Sequence, residues 1–328
     1  MHGVIPVHRP DPVRRLDPVR RLDPLRAPLL ILLLGCVSCY VAPAEYSPPT
    51  RSLEWIDRYG YSPRDVTTFS FGDEGVWVPV VEVGVAGEQV RLIFDTGTNG
   101  YASLDEPTIE TLKLPVESWT TFRDASGAAA GRIPVARAET LELGSVRLSD
   151  VEITGLGPDS VMGQRLGFSG TLGWRTLEGH RFTIDYSNRK IALASSALPE
   201  EITACATRHV SRFVSPPDLD GLILIEGSIE GQRFFVQVDT GKSKTVLDPR
   251  IESIRTFDRA DRGLEISDLI VGPFELSTSF GKMGRGFDSF SRGMDPPVLV
   301  GLGSDTLSRF LLTVDYSTRT IVLEETGC

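Results

Sequence analysis

The sequence predicts an all-β chain folded into two pseudo-symmetric lobes with a cleft between them. Three observations predict it. An apolar run that ends in a glycine turn, Leu92-Ile93-Phe94-Asp95-Thr96-Gly97-Thr98, occurs again as Phe235-Val236-Gln237-Val238-Asp239-Thr240-Gly241. Around the two copies, Glu82, Gly87, Asp95, Thr96 and Gly97 align without a gap on Glu226, Gly231, Asp239, Thr240 and Gly241, each pair 144 positions apart. Downstream, Gly170-Thr-Leu-Gly173 and Thr183-Ile-Asp-Tyr-Ser187 recur as Val300-Gly-Leu-Gly303 and Thr313-Val-Asp-Tyr-Ser317. A period this long is too great for a solenoid and suits a duplicated domain. A single Asp-Thr-Gly triplet would arise by chance in roughly one chain in twenty-five of this length, so the inference rests on the pair and its matching surroundings.

Taken in order, Arg51 to Ser70 reads as a short helix packed on the first lobe. From Val76 the pattern becomes strand-like, with Trp77, Val78, Val80, Val81, Val83 and Val85 supplying β-branched and aromatic residues. Ala86-Gly87-Glu88 is a hairpin turn, and the return strand Val90 to Phe94 delivers Asp95 at its end, where Gly97 lets the chain turn sharply. Asp105 then caps a helix whose Ile109 and Leu112 face inward; the second lobe repeats this through Asp248-Pro249 to Ile251 and Ile254. Gly170 to Gly173 and Val298 to Gly301 are apolar strands, with glycine suited to the close approach of another backbone. Each is followed by Phe182 to Tyr186 or Leu312 to Tyr316, a turn, and a last strand, Ile191 to Leu193 or Ile321 to Leu323. Asp185 and Asp315 precede Tyr-Ser-Asn/Thr-Arg turns, where an aspartate bonds local backbone, and are read as structural. Phe280 to Asp288 is glycine-rich but reads as a loop, without the preceding strand and following helix of a phosphate cradle. The expected boundaries are a leader at 1–36, a tether and extension at 37–70, the first lobe at 71–200, an inter-lobe linker at 201–220 and the second lobe at 221–328.

The order of apolar strand, Asp-Thr-Gly, short helix, glycine hairpin, apolar-apolar-Gly and Ile/Val-Asp-Tyr resembles the aspartic peptidases of the retropepsin and pepsin kind, in a single-chain form, from about Val76 to Glu324. The resemblance implies two acid-protease β-barrel lobes and an aspartic endopeptidase acting on a peptide or protein substrate as a monomer, with neither cofactor nor metal. Asp95 and Asp239 take the positions of the catalytic dyad. Thr96 and Thr240 match the hydroxyls that lock the two loops together, Gly97 and Gly241 admit close backbone, and Thr98 fits the family position that bonds the outer oxygen of its aspartate. Carboxylates about 3 Å apart cannot both ionise easily and share one proton. Which of the two holds it is left open by the sequence.

Two departures from the family pattern stand out. The first lobe spends sixteen more residues than the second between its aspartate and the next glycine turn, Asp95 to Gly144 against Asp239 to Gly272. The extra length holds Asp124 to Gly131 in the place of the flap, so that Ser126, Gly127 and Ala128 would close over substrate; the usual flap tyrosine is missing, with Phe122 or Trp119 as candidate substitutes. After the second Asp-Thr-Gly comes Lys242 instead of Ser, Thr or Ala. Either its stem bends back so that the ammonium favours an ionised carboxylate and moves the acidic limb downward, or it points to solvent and changes little, Lys242 and Lys244 around Ser243 being plain solvated lysines or a basic lip for acidic substrates. A non-catalytic peptide-binding or scaffold lipoprotein, and a protein that processes only its own precursor, are the competing functions.

Composition narrows the partners. A chain of 328 residues with 41% apolar side chains and net charge −10 predicts no broad basic face and argues against nucleic acid as a partner. His8 to Arg26, with six arginines and recurring prolines, resembles a long basic leader; the apolar run Leu29 to Leu34 and Leu33-Leu34-Gly35-Cys36 resemble a bacterial lipobox. Cys36 would then be lipidated and the protein held to the bacterial envelope membrane, facing outer membrane or periplasm. Cleavage near Ser38-Cys39, ordinary secretion and an uncleaved anchor are the alternatives. Cys205 and Cys328 either pair in an oxidising compartment or stay as thiols. His180 and His209 fit no metal-ligand spacing.

Overall fold

The computed structural model describes residues 51–72, 76–123, 129–157, 167–199, 208–253, 259–260, 263–266, 268–276, 279–283 and 287–325. The leader, Cys36, Cys205, Cys328, Ile254 and the flap residues Ser126, Gly127 and Ala128 lie outside them.

In the first lobe, Pro79–Val85 buries every side chain except Glu82. It turns back through Ala86 (φ 51°) and Gly87 (φ 88°) into Glu88–Phe94. Two consecutive left-handed residues give the tight turn whose twist matches the strands it joins. Glu88–Phe94 pairs in parallel with Gly170–Leu172, which pairs with Ala102–Leu104, then with Val146–Gly155 and Ala129–Leu143 beyond it. Ala129–Leu143 returns to Pro79–Val85 (Gly84 to Glu142, Val85 to Leu141) and closes a six-stranded barrel. Val116–Arg123 continues outward as a hairpin with Ala129–Leu143.

The second lobe repeats the plan in part. Ile223–Ile229 turns through Glu230 (φ 49°) and Gly231 (φ 78°) into Gln232–Val238, which pairs in parallel with Val298–Leu302. Among the described strands its sheet ends at Phe274–Leu276 on one side and Arg259–Ala260 on the other, a half-barrel. The all-β, two-lobed architecture expected from the duplication is therefore present.

The 280–288 segment needs a correction: Ser279–Met283 is a strand and Phe287–Ser291 a helix. Phe287 and Phe290, three apart, both face a cluster with Leu222, Leu224 and Val298, and this buried stripe makes the helix despite the glycines before it.

Between the lobes lies a six-stranded sheet that draws on both halves, in the order Val66–Thr68, Lys190–Ala194, Arg181–Asp185, Phe310–Asp315, Thr320–Glu325 and Arg208–Arg212. Its two central strands pair Thr183 with Thr313, whose hydroxyls meet at 2.7 Å, so equivalent residues of the two repeats sit opposite each other. One face joins the apolar core that continues into both lobes, with Phe94 against Phe182 at 5.0 Å. The other face is covered by Trp55, Tyr59 and Tyr61, packed on Ala192, Ala194 and Leu311. The N-terminal segment, with its four-residue helix Trp55–Arg58, thus packs on the shared sheet and not on the first lobe alone. Each polar tip on these rings finds a buried partner: Trp55 Nε1 donates to Asp185, Tyr59 to Glu324, and Tyr61 meets Thr183.

Asp185 and Asp315 are structural, as the turns implied. Asp185 accepts from the Asn188 amide and from Trp55, whereas Asp315 accepts from the amides of Ser317, Thr318 and Leu198.

Candidate active site

Each aspartate stands at the end of a buried strand because the next strand holds that end down. Asp95 N donates to Leu172 O and Asp239 N to Leu302 O, the same bond in both repeats. Gly173 and Gly303 then pass under the turns. A Cβ on Gly173 would lie 2.8 Å from Thr98 O, and one on Gly303 2.9 Å from Lys242 O, so only glycine fits this approach.

The two turns meet. Thr96 Oγ1 donates to Val238 O (2.9 Å) and accepts from Thr240 N (3.1 Å). Thr240 Oγ1 donates to Phe94 O (2.6 Å) and accepts from Thr96 N (3.1 Å). Both threonines are fully buried. This reciprocal lattice fixes the glycines face to face with the opposite acids: a Cβ on Gly97 would fall 2.6 Å from Asp239 Cγ, and one on Gly241 2.5 Å from Asp95 Oδ2. Two carboxyls are thereby brought side by side across the lobe boundary.

Within its own turn each carboxyl is oriented by backbone. Gly97 N donates to Asp95 Oδ1 at 2.8 Å and Gly241 N to Asp239 Oδ1 at 3.1 Å. The outer oxygens differ. Asp95 Oδ2 accepts from Thr98 Oγ1 at 2.7 Å, and that hydroxyl also lies 3.2 Å from Thr171 Oγ1. Asp239 Oδ2 accepts from Gln237 Nε2 at 3.1 Å and from the Lys242 ammonium, which also reaches Gln237 Oε1 at 3.2 Å. The lysine stem therefore bends back to the dyad, and the basic lip of Lys242 with Lys244 is not formed. Burial and the neighbouring Asp239 charge push the Asp95 carboxyl up to about 7, against the bonds from Thr98 and Gly97 and the pull of Lys242. A carboxyl that holds its proton to near neutrality beside a second one clamped by a cation is a pair able to act as acid and base together.

The sequence reading missed Gln237, Thr171 and the Asn99 side chain, which accepts from Trp174 Nε1 at 3.2 Å beside the first turn. Gln237 was visible in principle: it replaces Ile93 of the first repeat inside an otherwise apolar strand. The proposed flap substitutes are placed apart. Phe122 is buried among Val76, Val78 and Ile133, whereas Trp119 is 49% exposed with the Arg132 guanidinium over its ring. Among the described residues no group of three His, Cys, Asp or Glu side chains could hold a metal ion.

A pair of β lobes that joins one Asp-Thr-Gly turn from each around a shared carboxyl pair defines a bilobal aspartic peptidase fold. Residues 81–174, which carry the first turn, match the Aspartyl protease family. An aspartic proteinase from Irpex lacteus has a similar structure, with a TM-score of 0.50 and 14% identity over 80% of this chain and 98% of that one. No curated protein sequence matches the chain. The family match thus covers the first Asp-Thr-Gly turn, and the structural likeness shows an aspartic-proteinase fold across both lobes.

Proposed function

We propose that the protein is an aspartic endopeptidase that hydrolyses peptide bonds with a water activated by Asp95 and Asp239. The observation that carries this reading is the meeting of the two carboxyls over each other's glycines; burial and the neighbouring Asp239 charge push Asp95 up to about 7 in support of it. The ionised member takes a proton from the water, whose oxygen adds to the peptide carbonyl carbon. The protonated member donates to the developing oxyanion. Collapse of the tetrahedral intermediate breaks the C–N bond as a proton passes to the leaving amine, and a carboxylic acid and an amine result. The hairpin of Val116–Arg123 with Ala129–Leu143 supplies the stem of a flap; Ser126, Gly127 and Ala128, expected to close over substrate, lie outside the described residues.

Asp95→Asn and Asp239→Asn, each tested on a peptide library between pH 3 and pH 8, should each abolish cleavage while keeping a cooperative unfolding transition. Cleavage retained in both variants would refute the mechanism. A second reading, a peptide-binding protein without turnover, is favoured by the ammonium that covers one oxygen of Asp239. It predicts peptides retained intact at every pH. We further place the protein at the bacterial envelope, as a monomer held by a lipid on Cys36. Incorporation of labelled palmitate that survives Cys36→Ser would contradict that anchor.

A further inference from the structure

The two halves of the dyad are built with different chemistry, and the difference involves three coordinated positions. In the first repeat the strand pairs Ile93 with Thr171, and Thr98 follows the Asp-Thr-Gly turn. In the second the same register pairs Gln237 with Gly301, and Lys242 follows the turn. Gly301 stands where the first repeat has Thr171; a Cβ there would meet the Phe287 ring at 3.2 Å and Gln237 Oε1 at an ordinary contact distance of 3.5 Å. A polar amide in the strand, a glycine beside it and a lysine after the turn thus replace an isoleucine, a threonine and a threonine as one set.

The donor and acceptor inventory gives this set a direction. An ammonium and an amide N–H only donate. Asp239 Oδ2 faces both, and Oδ1 faces the Gly241 N–H, so each oxygen of Asp239 already meets donors that cannot receive a proton in return. Asp95 Oδ2 instead faces the Thr98 hydroxyl, which can reverse: it accepts from a protonated Asp95 and donates onward to Thr171. The Gln237 amide is oriented by the same logic, its oxygen toward Lys242 and its nitrogen toward Asp239, since the flipped amide would put N–H against ammonium. Burial sharpens the effect. The Lys242 and Asp239 side chains are 15% and 5% exposed, so solvent and salt screen the pair little.

We propose that Lys242, held by Gln237, is a positioning residue that fixes the negative charge of the dyad on Asp239 and leaves Asp95 to carry the shared proton. This rests on the reading of the two acids as a working dyad. In the proposed reaction Asp239 is then the general base toward water and Asp95 the acid toward the oxyanion. The site carries one cation against one anion, so a substrate carbonyl meets a neutral cluster instead of a net negative one. The other ionisable groups nearby are the Tyr186 phenol, under the influence of Asp239 and Asp305, the Tyr316 phenol, under that of Asp95, and Lys244 beyond Asp305.

The test is a carboxyl titration of the resting full chain by ¹³C NMR, with the Asp95 and Asp239 signals assigned through their Asn variants, in wild type and in Lys242→Met. In wild type the first proton should leave Asp239. In Lys242→Met that first step should rise by about 1 to 3 pH units and spread over both carboxyls, and the acidic limb of kcat/KM should rise with it. Gln237→Leu, which keeps the lysine but removes its clamp, should move both curves the same way by less, and serves if Lys242→Met fails to fold. Titration curves of folded Lys242→Met or Gln237→Leu that superimpose on wild type, or a first proton lost from Asp95 in wild type, would overturn the proposal. A wild-type chain that cleaves nothing would refute the peptidase reading separately, because the titration needs no turnover.

Discussion

Thr240→Val tests whether the threonine lattice is what joins the lobes. The substitution keeps the shape of the side chain and removes a hydroxyl that is fully buried. Two groups of the first lobe lose their partner, the Phe94 carbonyl at 2.6 Å and the Thr96 amide at 3.1 Å. A buried polar group left without a partner costs about 1–3 kcal/mol, so the expected loss for two groups is about 2–6 kcal/mol from a total that is typically about 5–15 kcal/mol. Thr96→Val removes the mirror-image pair, to the Val238 carbonyl and the Thr240 amide. Because all four bonds close the same two loops, the double variant should cost less than the sum of the singles. Urea unfolding of wild type, both singles and the double reads these values directly. A loss below about 0.5 kcal/mol for Thr240→Val, the size of an ordinary surface change, would mean that the shared sheet alone holds the lobes together.

Two further outcomes follow from the same geometry. Gly241→Ala places a methyl on the Asp95 carboxyl at a position where the backbone itself is unstrained, so kcat/KM should fall by about a hundredfold or more while the urea midpoint changes far less than activity; activity within a few fold of wild type would show that the carboxyls do not meet as described. Asp95→Asn should alter how stability depends on pH. Because folding raises the proton affinity of Asp95 to about 7, the folded state binds that proton more tightly than the unfolded chain. Its contribution is complete below about pH 4, is lost as pH rises toward 7, and is absent above. The asparagine variant, neutral throughout, should match wild type near pH 4 and exceed it in urea midpoint at pH 8; parallel curves across that range would refute the assignment.

The repeated Asp-Thr-Gly turns, the hairpins at Gly87 and Gly231 and the close approach at Gly173 were legible because each is a local backbone requirement written as a residue type; the matching approach in the second lobe, read at Val298 to Gly301, falls at Gly303. The helix cap at Asp105, which accepts from Thr108 N, was legible for the same reason. The 280–288 segment was misread because its glycines obscured two phenylalanines that matter only once the Leu222 and Val298 face is there to bury them.

By itself, then, the amino-acid order determined that two like acid-bearing turns exist, that each ends a buried strand, and that the chain is predominantly β. It could not say where the last strands of each repeat go. That Arg181–Asp185 and Phe310–Asp315 pair with each other across the molecule, under a lid of Trp55, Tyr59 and Tyr61, is a contact between residues far apart in sequence that no local pattern encodes. The direction taken by Lys242 belongs to the same class. A long flexible side chain goes where its charge is best compensated, and only the folded surroundings, with Asp239 and Gln237 in reach and solvent largely excluded, make that place the dyad.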